Sequence, residues 1–131
     1  MFNPPIEPAV PFTEMQLASI EQALGRPLPR EYRDFASVYG GAFVGGSVDG
    51  KAEFPILTFF GVKAVLLRLD IHDDLKADGV LPVADCEMGN LYVIDRQNVV
   101  HYINYYGGQT IARRVADSFD DMLKRIVVSE E

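Results

Sequence analysis

Apolar and polar positions along the chain repeat at helical spacing near both ends and in strand-like runs between them. Leu17, Ile20 and Leu24 fall on one helical face. Thr13, with Gln16 three residues on, forms the capping-box pair that starts this helix. Gly25 closes it and Pro27 prevents its continuation. Pro29 suits the first turn of a second helix, with Glu31 near its positive end. Tyr32, Phe35, Ala36 and Tyr39 supply that helix's apolar face before Gly40 and Gly41 end it. The stiff "RPLP" connector makes the two helices an αα-hairpin whose apolar faces need a third surface.

From Gly45 the period changes. "EFPILTFFG" is strand-like, whereas "VKAVLLRLDI" fits either a strand or a short helix. Val62, Val65, Leu66 and Leu69 favour the helix. Three strand candidates follow: "VLPVAD", where Pro82 suggests an edge or early-strand position, then "NLYVID" and "VVHYINY". The last two are joined by the hairpin composition "DRQN", and "QTIARRVA" offers a further strand. A closing helix is signalled by Ser118 with Asp121 and by the stripe Phe119, Met122, Leu123 and Ile126. Helices segregated around a mostly antiparallel sheet imply an α+β fold.

The 131 residues are enough to bury roughly two-thirds of the unfolded surface without a disulfide or metal staple. They predict a single domain over 1–131, with residues 1–11 as an extended, proline-rich lead. The N-terminus has no basic segment followed by an apolar one, and no apolar run approaches the ~18 residues of a membrane span. Cys86 is the only cysteine, which fits a reducing cytoplasm.

Charge is uneven. Residues 1–69 carry net −1 and residues 96–131 net zero. Residues 70–95 hold Asp70, Asp73, Asp74, Asp78, Asp85, Glu87 and Asp95 against Lys76 alone, net −6 of the total −7. With no basic patch in sequence, nucleic acid is disfavoured as a partner. An acidic sector attracts a basic protein instead. Solvated loops flanking a strand are the plainer reading of the same run.

Three chemical readings of the residues fail on named positions. "GGAFVGGS" (40–47) has Gly46 where a phosphate-binding loop needs lysine, so it reads as a helix stop and flexible turn. From Asp74 the spacing resembles a calcium loop, but Lys76 stands at an oxygen-ligand position and Asp85 is too short for the closing clamp. Cys86 has no nucleophile signature around it, and neither His72 nor His101 lies in one. The sequence thus predicts no catalytic residue, metal or cofactor. The aromatic run "HYINYY" suits a half-buried sheet face, with Tyr105 and Tyr106 the pair offered to an interface.

Several of these segments, in this order, resemble the SUKH superfamily, which includes a yeast cell-wall-assembly regulator and many bacterial toxin-immunity proteins. Leu24, Gly25, Leu28, Pro29 and Tyr32 form the Leu-Gly-x-x-Leu-Pro-x-x-Tyr core of its helix pair. "FFGV", "GVLPVADCEMGNLYVID", "VVHYINY" and "VADSFDDMLKRI" resemble its strands and last helix. Ile103 stands where many members carry tryptophan, and "GGQTIA" gives no strong match. The resemblance implies a non-catalytic protein-binding domain: an immunity protein that neutralises a toxin such as a nuclease, or a regulatory or scaffold module with an endogenous partner. Asp73, Asp74, Asp78, Asp85, Glu87, Tyr105 and Tyr106 are then the candidate partner-binding residues.

Overall fold

Helix α1 (Glu14–Leu24) starts where its capping box places it. The Thr13 hydroxyl accepts the Gln16 N–H at 3.2 Å, and the Gln16 side chain accepts the Thr13 N–H at 2.9 Å. Two amides that the first helical turn leaves over are thereby satisfied. Gly25, at φ +82°, makes the left-handed exit. The Leu28 N–H reaches back to Glu21 Oε2 at 2.8 Å, tying the connector to α1. In α2 (Arg30–Tyr39), Pro29 occupies the N-cap, one step before the first turn, where its missing N–H is still not needed. The two predicted faces are buried throughout. The computed structural model describes residues 6–86, 88–104 and 111–129 of the chain.

The strands are β1 (Phe43–Val48), β2 (Pro55–Phe59), β3 (Leu81–Asp85), β4 (Leu91–Ile94), β5 (Val100–Asn104), β6 (Ile111–Ala116) and β7 (Ile126–Val128). They form one sheet in the order β6-β5-β4-β3-β2-β1-β7, antiparallel at every pairing. Helices α3 (Val62–Ile71) and α4 (Asp73–Ala77) lie between β2 and β3, and α5 (Phe119–Lys124) between β6 and β7. α3 packs on β3 and α1, while α5 packs on α2 and β6. Phe35, Phe59 and Phe119 meet at ring distances of 4.6–6.0 Å, joining α2, β2 and α5 in the core. The fold is α+β, as the segregation of periods implies.

Three local expectations are corrected, and the two positions open to Pro82 are resolved in favour of the early-strand one. Residues 43–48 are not a flexible turn but strand β1. Its glycines serve the sheet: a Cβ at Gly46 would lie 2.0 Å from the Val127 carbonyl oxygen, so only glycine lets β7 pair so closely. Pro82 is not at a sheet edge, since β3 is an inner strand. β2 pairs with β3 only at Thr58–Asp85 and Phe59–Ala84, and the β3–β4 register shifts between Pro82 and Ala84. The proline therefore sits early in the strand, at an irregularity that tolerates its missing N–H. Ile126 does not extend the last helix, which ends at Lys124; it is buried on β7 instead. Finally, the acidic stretch is not two loops, because Asp73–Ala77 close a short helix anchored by buried Leu75.

Candidate interaction surface

The tertiary structure divides the acidic stretch. Asp70 lies in the last turn of α3, Asp73 and Asp74 in the first turn of α4, and Asp78 at its C-cap; all four are exposed. Carboxylates in a first turn are favoured by the helix dipole, which helps so short a helix form. Asp85, at the end of β3, is only half exposed, and its Oδ1 has no hydrogen-bond partner among the described residues. Burial pushes its carboxyl above the usual range, against the pull of the Arg68 guanidinium.

Asp95 belongs to the β4–β5 turn. Its Oδ1 accepts the N–H groups of Gln97 and Val99 at 2.8 and 3.0 Å, and its Oδ2 accepts His101 Nε2–H at 2.8 Å. Partial burial works the other way, but these bonds hold its carboxyl below the ordinary value. Glu87, Tyr105 and Tyr106 lie outside the described residues. The structure thus keeps Asp70, Asp73, Asp74 and Asp78 together at the α3–α4 corner and sends Asp85 and Asp95 into the sheet and its turn.

Most arginines are engaged elsewhere. Arg33 meets Glu14 and Glu21, Arg30 meets Asp34, Arg113 meets Glu53, Arg114 meets Asp117, and Arg125 meets Asp49 and Asp121. Arg26 donates to the carbonyls of Gly79 and Asp95 at 2.7 and 3.1 Å, and Arg96 to that of Asp78 at 2.7 Å. These two guanidinium groups bound the acidic corner on one side through backbone bonds. Among the described residues, none of Asp70, Asp73, Asp74 and Asp78 is in an ion pair. Their field therefore projects into solvent.

A second feature is an open groove of about 670 Å³ lined by Phe43, Pro55, Leu57, Cys86 and Met88 among others. Phe43 is 65% and Met88 74% exposed. Beneath it, Cys86 Sγ lies 3.3 Å from Tyr102 Oη, which also accepts Asn90 Nδ2–H at 3.0 Å. Burial, assisted by the thiol, pushes the Tyr102 hydroxyl up to about 12. Tyr92 packs tilted against Tyr102, ring centroids 4.8 Å apart, and donates its hydroxyl to the Pro55 carbonyl at 2.7 Å. Cys86 is buried against the Tyr102 hydroxyl, and His101 is held by Asp95. These polar groups satisfy one another and fix the sheet. Phe43 and Met88 are not evident from the sequence because each lies in a glycine-containing stretch that reads as a turn.

The arrangement defines an α+β fold whose distinctive surface features among the described residues are a charged corner and an apolar groove. The family model described as the SMI1 / KNR4 family (SUKH-1) matches residues 11–125, and the chain belongs to this family. No curated protein matches it. The family signature has a structural cause here. Leu24, Leu28 and Tyr32 are buried, Gly25 supplies the left-handed turn, and Pro29 caps α2. No helix among the described residues is long and apolar enough to cross a membrane.

Proposed function

We propose that this domain acts by binding, as an immunity-type protein that occludes a basic toxin domain such as a nuclease. The observation that carries the reading is the α3–α4 corner of a SUKH-1 fold, where Asp70, Asp73, Asp74 and Asp78 are exposed and in no ion pair among the described residues. A nuclease groove is basic because it must hold phosphates, so a rim of carboxylates both steers the encounter and competes with substrate. Asp73, Asp74 and Asp78 lead in this role. Asp85, half-buried beside Arg68, contributes less, while Glu87, Tyr105 and Tyr106 are candidates on the sequence alone.

The test uses a toxin encoded beside this gene. Asp73→Lys, Asp74→Lys and Asp78→Lys together should lower the association rate by tenfold or more, of order what steering supplies, and flatten its dependence on salt. An unchanged on-rate refutes the acidic-surface reading. The apolar groove favours a second reading, a regulatory or scaffold module that takes a segment of an endogenous protein. Loss of partner binding on Phe43→Ser with Met88→Ser, but not on the lysine triple, would select it.

A further inference from the structure

The face that α3 turns to solvent is amphipathic in its own right. Val65 and Leu69 are buried, whereas Lys63, Leu67, Asp70 and Ile71 are exposed. Four-residue steps put Lys63, Leu67 and Ile71 in one row, with Asp70 beside Ile71. Leu67 is 55% and Ile71 56% exposed, so neither is spent on this domain's own core. At His72 the chain breaks helical geometry (φ −104°, ψ 78°) and α4 begins at once, which sets Asp73 and Asp74 immediately beyond Ile71. The apolar pair is therefore bordered by three exposed carboxylates, and Lys63 is the one cation in the row.

We infer that the outer face of α3 is the anchoring point of the interface, and that Leu67 and Ile71 receive an apolar side chain ringed by lysine or arginine on the partner. This deepens the acidic-surface reading and rests on it. Carboxylates in water hasten the encounter but add little lasting affinity; durable binding comes from apolar side chains that the contact desolvates. Charge complementarity selects the occupant. An acidic or neutral apolar surface would bring no compensation to Asp70, Asp73 and Asp74, whereas a basic one neutralises them as it covers Leu67 and Ile71.

The probe is a synthetic amphipathic helix of alternating leucine and lysine faces, with a peptide of equal charge carrying serine for leucine as control. Each is titrated into the isotope-labelled full chain and followed by backbone NMR shifts. The leucine–lysine peptide should move the resonances of residues 63–75 and bind about tenfold more tightly than the serine control. Leu67→Gln with Ile71→Gln should remove that preference and leave the weaker, salt-dependent binding. Both side chains are exposed, so the variant's fold is preserved, as its unshifted core resonances will check.

Shifts centred on Phe43, Leu57 and Met88, or a preference that survives the double substitution, overturn the inference. Equal binding of the two peptides also overturns it. The immunity reading is tested separately by protection of cells against the neighbouring toxin. If the unaltered chain does not protect, that reading fails and the peptide result still decides this one.

Discussion

Replacing Gly46 by alanine probes how β7 is held. The new Cβ would lie 2.0 Å from the Val127 carbonyl oxygen and 2.9 Å from both the Val127 carbonyl carbon and the Val128 Cα. Non-bonded contacts of this kind settle above about 3 Å, so β7 must retreat by roughly 1 Å. It has little room to yield, because the Asp49 N–H bonds the Arg125 carbonyl at 2.7 Å and the Ser129 N–H the Gly45 carbonyl at 3.0 Å, one at each end. Retreat breaks the pairing at Gly46–Val128, Ser47–Val127 and Val48–Ile126. Each hydrogen bond lost costs about 1 kcal/mol, and uncovering buried Ile126 another 1.5–3 kcal/mol.

The expected loss is about 3–5 kcal/mol, a large part of a typical domain's stability. Urea unfolding followed by circular dichroism reads it as a lower midpoint, and hydrogen exchange should show the β7 amides unprotected before the rest of the sheet. A loss under about 0.5 kcal/mol, with β7 still protected, would refute the close-approach argument, since a tolerated methyl group means that the two strands are not in contact there.

Gly61 gives the opposite case. It is the N-cap of α3 with no side-chain cap, at φ −71°, and a Cβ there meets nothing within 4 Å. Gly61→Ser should stabilise by a few tenths to about 1 kcal/mol in the same unfolding assay. Tyr92→Phe removes the hydroxyl that bonds the Pro55 carbonyl but keeps the ring; a loss of about 1–2 kcal/mol in thermal unfolding is expected. Asp95 is favoured in its charged form by the fold, so its stabilisation is complete above the ordinary carboxylate value and fades as pH falls through the lowered one. Asp95→Asn should therefore cost stability near neutral pH, by about 1 kcal/mol at this partly buried site, and the deficit should shrink below about pH 4. A constant deficit across that range would show that charge is not the cause.

Much of this fold is local and therefore legible in the sequence. The helix pair follows from Thr13 and Gln16, from Gly25 and Pro29, and from two apolar faces at helical spacing. The Leu67 and Ile71 face was also within reach: once Val62, Val65, Leu66 and Leu69 are given to the core, these two are left on the other side. The misreadings have local causes. Glycines in β1 are unfavourable to a strand by composition, yet the close β7 carbonyl makes Gly46 necessary there. Ile126 satisfies a helical period and a buried strand equally well, so period could not choose between them.

The acidic run shows where the division falls. The sequence by itself established the excess of negative charge between residues 70 and 95 and the absence of a basic patch, because charge is a property of composition. Which carboxylates act on the outside was decided only by tertiary structure. Pairing of β3 leaves Asp85 half-buried and the β4–β5 turn binds Asp95 to His101, while the break at His72 is followed at once by the exposed Asp73 and Asp74 that open α4. Burial and counter-ions depend on neighbours distant in sequence, and those neighbours exist only once the sheet has formed.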